Sequence, residues 1–216
     1  MNLFARGSLS VVVAGVALAG AFALAPALAL PQEAKQDDKK LPPGMSEADM
    51  KACAEAGTPG PNHAKLLKTA GTWTGNEQMW MGPGSEPSTS PTTWTVSDLM
   101  GGRYLKTEVT GDMPGMGPYA GSGVSGFDNV SKQFFATWVD NMSTGIMIGT
   151  GELSSDGKTL TWKYTYNCPI TKKPAVMREV QKLTSETSMS VEFYCNDPKS
   201  GQEYKCMQVE LKKSSG

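Results

Sequence analysis

The stretch Gly60–Gly75, GPNHAKLLKTAGTWTG, contains the end of one structural pattern and the start of another. Pro61 is typical of the first turn of a helix, and Gly71 is typical of a helix end. From Trp73 onward, apolar and polar residues alternate as they do in β-strands. We therefore predict a short helix over Pro61–Ala70 that plugs the end of a β-barrel, with Trp73 as the barrel-closing residue on the first strand.

Ten segments of the chain have the alternation and the flanking turn residues of β-strands. They lie near 72–81, 91–99, 103–110, 118–127, 132–140, 144–152, 158–167, 175–183, 188–195 and 202–212. Short turns connect them, so the expected topology is an antiparallel meander. A flat meander leaves two exposed edges, and closure into a barrel removes both. The predicted fold is therefore mainly β, an up-and-down barrel of about ten strands with a plug helix and one extra N-terminal helix.

The N-terminal part of the chain differs in composition from the predicted barrel. Residues 1–29 have a basic start, an apolar run and a small-residue cleavage site, which is the pattern of a secretory signal peptide. We expect a disordered leader over 30–44, a helix over 45–57 and the barrel domain over 58–213. The protein is then exported, to a periplasm or outside the cell, with no transmembrane segment after signal cleavage. A retained N-terminal anchor is the alternative.

Charge and residue counts exclude several classes of function. The chain has 20 basic and 21 acidic residues, and its basic residues do not cluster, so nucleic acid is not an expected partner. The only histidine is His63, and the cysteine spacings fit no metal box, so neither a metal site nor a cofactor is predicted. Four cysteines in an oxidising compartment indicate two disulfides.

The hairpin between the last two strands sets the expected disulfide pairing. A three-residue loop, Lys199–Gly201, places apolar residues opposite one another along the two strands. The pairs are Phe193–Met207, Val191–Val209 and Met189–Leu211. In this register the side chains of Cys195 and Cys206 point to opposite faces and do not pair. We therefore predict the disulfides Cys168–Cys195 and Cys53–Cys206, the second of which would hold the N-terminal helix against the barrel wall.

Several motifs follow one another in order along the predicted barrel. They are Pro59-Gly60-Pro61-Asn62-His63, Leu66, Gly71-Thr72-Trp73, Gly101-Gly102-Arg103-Tyr104, Gly126-Phe127-Asp128-Asn129 and Trp138-Val139-Asp140-Asn141. The helix that leads into Gly-x-Trp resembles the calycin superfamily of lipocalins and fatty-acid-binding proteins. The ordered set, over about residues 57–212, resembles an uncharacterised bacterial family known as a domain of unknown function. The resemblance implies a calycin-like barrel and no established activity.

Three motifs that suggest cofactor binding or catalysis lack the structural context that this chemistry needs. Gly121–Gly126 matches GxGxxG, but a strand end follows it instead of a helix, so its glycines are expected to bend the strand or to admit large neighbours. Ser155–Lys158 matches SxxK at a hairpin turn, where no helix brings the serine to the lysine. His63 precedes the plug helix, and we expect it to cap that helix or bond a loop carbonyl instead of binding haem.

Two arginines of the mature chain are candidates for ligand contacts. Arg103 and Arg178 share the strand parity of apolar neighbours, so both are predicted to point toward an apolar face. A charge there needs a partner. One possible partner belongs to the protein itself: a carboxylate such as Asp140, Glu152 or Glu179 that neutralises an arginine, or the face of a tryptophan ring that stacks on it. The other is a ligand carboxylate or phosphate held by a bidentate arginine.

The expected interior of the barrel favours small-molecule binding, because barrel mouths commonly hold ligands. We predict a non-catalytic binding protein for a small, mostly apolar ligand, with or without a carboxylate, and we assign no catalytic residue. The predicted ligand-binding residues are Arg103, Trp138, Asp140, Trp162, Tyr164 and Arg178. Two alternatives stay open. One is an enzyme with Asp140, Arg103 and Arg178 at the mouth, and the other is an interaction protein whose barrel is filled by its own aromatic side chains.

Overall fold

Ten antiparallel strands follow two short helices in a computed structural model that describes residues 41–214. The helices are α1 (Glu47–Gly57) and α2 (Pro61–Leu67). The strands are β1 (Gly71–Met79), β2 (Ser88–Leu99), β3 (Tyr104–Met113), β4 (Gly117–Asp128), β5 (Gln133–Asp140), β6 (Met147–Leu153), β7 (Thr159–Cys168), β8 (Lys173–Ser185), β9 (Ser188–Asn196) and β10 (Glu203–Lys213). The predicted signal peptide and most of the predicted leader lie outside the described residues.

The strands close into a barrel in which each strand pairs with its neighbours in sequence and β1 pairs with β10. The β1–β10 pairing is antiparallel, as are the others. Closure gives a hydrogen-bonding partner to backbone groups that a flat sheet would expose at its two edges. The up-and-down barrel of ten strands that the sequence predicted is therefore confirmed.

The connections between strands alternate between the two ends of the barrel. The end covered by α2, called the closed end below, carries the start of β1 and the connections after β2, β4, β6 and β8. The other end, called the mouth, carries the loops 80–87, 114–116, 141–146, 169–172 and 197–202. Residues placed at the two ends of one strand are therefore separated by the full height of the barrel.

Helix α2 is fixed at the closed end by its own N-terminal residues. Pro61 is its first residue, and the Gly60 N–H donates a hydrogen bond to His63 Nδ1 at 3.0 Å. The His63 ring also packs edge-on against Phe127, with 5.8 Å between the ring centroids. His63 therefore caps the plug helix, which is one of the roles that the sequence suggested for it.

Trp73 lies beneath α2 and has no exposed surface. Its Nε1 donates a hydrogen bond to the Thr69 carbonyl at 2.8 Å, and Leu66 of α2 belongs to the same buried cluster. Lys213 Nζ lies 5.2 Å from the centroid of the Trp73 ring, in a cation–π contact. Gly71 has a φ of 136° and no Cβ, so the Lys213 side chain has room to cross it. The Gly-x-Trp motif thus joins the first strand, the last strand and the plug helix.

Helix α1 lies at the closed end and has no buried residue. Ser46 and Asp49 form the capping box at its N-terminus. At its C-terminus the Asn129 side chain donates hydrogen bonds to three carbonyls, those of Glu55, Ala56 and Thr58, at 3.2, 3.1 and 2.7 Å. Neither helix within residues 41–214 has the length and hydropathy needed to cross a membrane.

The structure corrects the predicted disulfides. Cys195 and Cys206 are joined, with their Cα atoms 5.7 Å apart. Cys168 is a buried free thiol, and Cys53 is an exposed one on α1. The predicted pairs Cys168–Cys195 and Cys53–Cys206 are therefore wrong. The second pair would also have to link α1, at the closed end, to a residue near the mouth.

A β-bulge explains why Cys206 reaches Cys195. Phe193 is opposite Met207, as the sequence predicted, but the register shifts between Lys205 and Met207. Cys206 is the extra residue of β10 at that shift, and a bulge breaks strict alternation between the two faces. The loop before it also has four residues instead of the predicted three, because the Asp197 N–H bonds the Gln202 carbonyl at 2.9 Å. The longer loop shifts the pairing of β9 and β10 by one residue, and the bulge shifts it back. The pairs beyond the bulge, from Phe193–Met207 onward, are therefore the predicted ones.

Candidate ligand site

A cavity of about 510 Å³ lies inside the barrel. Leu66 and Thr69 line it at the closed end, and Trp80, Ile170 and Pro198 line it at the mouth. Its volume is within the range of about 300–1,000 Å³ that is usual for small-molecule pockets. The aromatic side chains do not fill the barrel, so the alternative of a solidly packed interaction protein loses its structural basis.

Glycines of β4 make room for one of the large rings on the inner wall. Trp138 of β5 lies over Gly121 and Gly123, where an added Cβ would overlap its ring. The Trp138 Nε1 donates a hydrogen bond to the Tyr119 hydroxyl at 3.0 Å. The GxGxxG motif therefore serves to admit a tryptophan, as one of the two structural interpretations of the sequence expected.

The same arrangement recurs between β6 and β7. The Tyr164 ring lies over Gly149, and the Trp162 ring lies over Gly151. Trp162 also packs edge-on against Phe134, with 6.4 Å between the ring centroids. Because glycines on the neighbouring strand give these rings space at the wall, the rings leave the centre of the barrel open.

The structure places four of the six predicted ligand-binding residues on the cavity wall: Trp138, Asp140, Trp162 and Tyr164. The two tryptophans and the tyrosine point inward from β5 and β7. Asp140 lies at the mouth, where its Oδ1 accepts a hydrogen bond from the Met142 N–H at 3.0 Å. Its carboxylate is thus already engaged in holding the β5–β6 turn.

Arg178 lies on the outer face of the barrel, which corrects the prediction that it points inward. Its Nε and Nη2 donate to the two carboxylate oxygens of Glu203, at 3.1 and 2.8 Å. Its Cζ lies 3.8 Å from the centroid of the Tyr194 ring. The prediction failed because β8 carries apolar residues on both faces. Val176 and Val180 share the face of Arg178, but that face is the outer one.

Arg103 is exposed in the turn before β3, at the closed end, and its Nη1 donates to the Met100 carbonyl at 2.9 Å. It borders a separate depression of about 370 Å³ outside the barrel. The prediction of an inward-facing Arg103 is therefore wrong as well. Because Asp140 is at the mouth and Arg178 is on the outer wall, the three residues of the predicted enzyme site do not come together.

Two carboxylates inside the barrel were not predicted as site residues. Glu77 of β1 is 6% exposed and Glu179 of β8 is 7% exposed, and both line the cavity. Ser90 Oγ donates a hydrogen bond to Glu77 Oε1 at 3.4 Å, and Tyr164 adjoins Glu179. Burial raises the pKa of Glu179 to about 8 and also raises the pKa of Glu77, because it disfavours the charged form.

Strand parity contained a signal for Glu77, whereas both parities of β8 carry apolar residues and left the face of Glu179 undecided. Glu77 is four residues after Trp73, so the two side chains share the inner face of β1. Glu179 is two residues after Met177, which also lines the cavity. Sequence reasoning treated Glu179 only as a partner for an arginine, because it placed Arg178 on the inner face.

The cavity wall combines acidic side chains with an unpaired donor. Among the described residues that line it are Glu77, Asp140 and Glu179, but no lysine, arginine or histidine. The Trp94 Nε1 is buried and has no hydrogen-bond partner within the described part of the chain. In residues 41–214 no three His, Cys, Asp or Glu side chains are grouped closely enough to hold a metal ion.

Residues 58–213 match the family described as "Protein of unknown function (DUF1579)", and the chain belongs to this family. The match confirms the resemblance to a family of unknown function that the ordered motifs indicated. The matched range includes helix α2 and all ten strands. A comparison with curated proteins finds no match.

Similar solved structures are β-barrels of low sequence identity. The crystal structure of Rv2717c from M. tuberculosis has a TM-score of 0.54 and 12% identity, and the match covers 73% of this chain and 100% of that one. EF1p2_mFAP2b bound to DFHBI has a TM-score of 0.39 and 15% identity, with 71% and 99% covered. A redesigned β-barrel, b11L5F_LGL, has a TM-score of 0.39 and 13% identity, with 73% and 100% covered. The likeness to Rv2717c supports the fold alone.

Proposed function

We propose that this member of the DUF1579 family is an exported, non-catalytic binding protein that holds a small, mostly apolar ligand inside its barrel. The observation that carries the proposal is the open cavity of about 510 Å³. Aromatic, aliphatic and methionine side chains form most of its wall, with a few polar groups between them. This combination of an apolar wall with sparse polar groups is typical of small-molecule sites.

Two structural features favour binding over simple barrel packing. At the closed end, Trp73 is fully buried beneath the plug helix, so a ligand is expected to enter from the mouth. The wall rings Trp138, Trp162 and Tyr164 are held against glycines of neighbouring strands and are therefore positioned before a ligand arrives. Preorganisation of this kind lowers the entropic cost of binding. A ligand that buries about 250 Å² of apolar surface gains roughly 6 kcal/mol before those costs.

A cavity-filling variant tests the proposal. Thr107 of β3 lines the cavity, whereas Thr110 on the same strand is exposed on the opposite face. We expect wild-type protein to bind a neutral, environment-sensitive dye, with a fluorescence change that saturates. Thr107→Trp fills the cavity and should weaken binding at least tenfold, or by about 1.4 kcal/mol. Thr110→Trp is the matched control and should bind as the wild type does.

Two results would contradict cavity binding. One is a wild-type protein that binds no member of a panel of neutral apolar dyes of different sizes. The other is equal binding by Thr107→Trp and Thr110→Trp, which would place the dye on the outer surface. Circular dichroism and urea unfolding of both variants show whether the barrel is intact in each case.

The proposed export rests on the signal-peptide pattern of residues 1–29 and on the Cys195–Cys206 disulfide, since disulfides persist mainly in oxidising compartments. The mature chain is then expected to begin at Leu30, with a leader over 30–44 and the barrel domain over 58–213. Cell fractionation followed by intact-mass measurement tests this. Full-length protein recovered from the cytoplasm with a reduced Cys195 would contradict it.

A further inference from the structure

We infer that the barrel cavity selects organic cations, that is, amines or quaternary ammonium groups attached to an apolar body, over anionic ligands of the same size. This inference rests on the proposed binding function and deepens it by naming the class of ligand. It replaces the carboxylate-bearing ligand that the sequence left open, because neither Arg103 nor Arg178 reaches the cavity.

The first observation is the sign of the charge inside the barrel. Glu77 and Glu179 are both more than nine-tenths buried and both line the cavity, and no lysine, arginine or histidine among residues 41–214 lines it with them. An anionic ligand would therefore enter a cavity that has acidic groups and no counter-ion. A cationic ligand supplies the charge that the wall lacks, and burial strengthens that interaction relative to water.

The second observation is that the two inner carboxylates lack the cationic partners that two outer carboxylates of the neighbouring strands have. On the outer face of the same wall, Glu203 is bonded to Arg178, and Glu192 lies 3.3 Å from Lys205 Nζ. Ser90 and Tyr164 adjoin the two inner carboxylates, and neither can neutralise a negative charge. The inner carboxylates are thus the ones left for a cation from solution.

The third observation is the aromatic surroundings of Glu179. Its register partners on the neighbouring strands are Trp162 and Phe193, and both line the cavity. Aromatic faces attract cations through their quadrupole, and they recognise quaternary ammonium groups in other proteins. A carboxylate beside aromatic rings therefore provides both the charge and the apolar contact that an alkylammonium ligand requires.

The placement of the carboxylates favours an organic cation over a metal ion. Glu77 is on β1 and Glu179 is on β8, and β10 and β9 separate these strands in the barrel. Within residues 41–214 no group of three metal-ligating side chains surrounds either of them. The buried Trp94 Nε1, which has no partner in the described chain, can additionally donate to an ether, hydroxyl or carbonyl oxygen in the ligand body.

Three probes with the same alkyl chain and different heads test the inference: decyltrimethylammonium, decanol and decanoate. Each is titrated at about pH 9, where Glu179, whose pKa is raised to about 8, is ionised. Each probe is kept below its micelle concentration and is measured as a competitor of the neutral dye. We expect decyltrimethylammonium to bind at least tenfold more tightly than decanoate, with decanol between them. Equal affinities, or tighter binding of decanoate, would overturn the inference while leaving the proposed binding function intact.

Isosteric variants assign the preference to the inner carboxylates. In Glu77→Gln, Glu179→Gln and the double variant, the ratio of ammonium to carboxylate affinity should fall, and by at least tenfold in the double variant. Decanol binding should persist and so reports that the cavity is still formed. Glu192→Gln removes one formal charge from the outer face and should leave the ratio unchanged. An unchanged ratio in the three inner variants would overturn the inference. If the wild type bound none of the probes, the proposed function itself would fail with it.

Discussion

Arg178 and Glu179 are neighbours in β8, and their side chains lie on opposite faces of the barrel wall. On the outer face, Arg178 is bonded to both carboxylate oxygens of Glu203 and stacks on Tyr194. On the inner face, Glu179 is almost completely buried and has no cationic side chain beside it among those that line the cavity in residues 41–214. One step along a strand therefore separates an ion-paired arginine from a buried carboxyl group that has no cationic partner.

This difference shows that the two faces of the barrel wall contribute differently to stability. An exposed ion pair contributes little free energy, because water already solvates both partners. A buried carboxylate without a cation disfavours the folded state whenever it is ionised. The outer face can therefore change with small consequences, whereas the inner face contains both the residues that hold the barrel together and the carboxyl groups that destabilise it when they are ionised.

The largest expected effect comes from removing the buried charge with Glu179→Gln. The pKa of Glu179 is raised from 4.5 to about 8 in the folded protein. Between these values the folded state binds more protons than the unfolded state, so the free energy of unfolding falls as the pH rises from about 4.5 through about 8. The shift corresponds to at most roughly 5 kcal/mol. Urea unfolding at a series of pH values should show that the variant loses most of this dependence and is more stable than the wild type above pH 8.

Glu192→Gln is the matched control for that experiment. Glu192 lies on the outer face, and the Tyr194 hydroxyl that it accepts from, together with Lys205, lowers its pKa. Its contribution to stability is lost only at acidic pH, as the pH falls through its folded pKa. The control should therefore keep the wild-type slope between pH 5 and about pH 8. Parallel curves for wild type and Glu179→Gln would show that the inner carboxylate is solvated in the folded state.

Trp73→Ala should give the next largest effect, a loss of stability. Trp73 is fully buried beneath α2, and emptying a large buried aromatic site costs about 3–5 kcal/mol. Thr74, the next residue in β1, is exposed on the outer face, and Thr74→Ala should change the free energy of unfolding by no more than about 0.5 kcal/mol. Chemical denaturation of the two variants compares the faces directly. A loss below about 1 kcal/mol for Trp73→Ala is incompatible with its role at the closed end.

The Cys195–Cys206 disulfide is expected to have an intermediate effect. Both cysteines line the cavity near the mouth and are separated by 11 positions in sequence. A loop of this length contributes about 2–3 kcal/mol in the chain-entropy model. The double variant Cys195→Ser/Cys206→Ser should lose that amount in urea unfolding, whereas Cys53→Ser, at an exposed free thiol, should lose nothing measurable. Equal stability of both variants would mean that the bond is not formed in solution.

The smallest effect belongs to the outer ion pair. Arg178 and Glu203 form a bidentate ion pair, but their side chains are 36% and 49% exposed. Arg178→Gln should therefore lower the free energy of unfolding by no more than about 1 kcal/mol, and by less at high salt. Dye binding in the cavity should not change, since Arg178 points away from it. A tenfold loss of dye affinity in this variant, with the fold intact, would restore Arg178 as a ligand residue.

Sequence reasoning reached the fold and part of the candidate site through alternation. Trp162 and Tyr164 share one parity of β7 with polar residues between them, so their common face was unambiguous. In β8 both parities contain apolar residues, and alternation alone gave no means of deciding which one faced inward. Because of that ambiguity, Arg178 was predicted to face the interior and Glu179 was considered only as a charge partner for an arginine. In β10 a bulge interrupted the alternation at Cys206, so the predicted disulfides failed although the register beyond the bulge was right.

By itself the sequence determined the elements of the protein: ten strands, the plug helix, the Gly-x-Trp start of the barrel and the glycines that admit large rings. These follow from local periodicity and turn chemistry, which act over a few residues. Only the tertiary structure decided which face of each strand became the interior, because closure of β1 on β10 makes one face of all strands converge at once. It therefore decided that Glu77 and Glu179 share one cavity, that both arginines lie outside it, and that Cys206 meets Cys195. The two carboxylates lie about a hundred positions apart in sequence, so no local pattern could bring them to one cavity, and the bulge at Cys206 interrupts the local alternation that would have placed that cysteine.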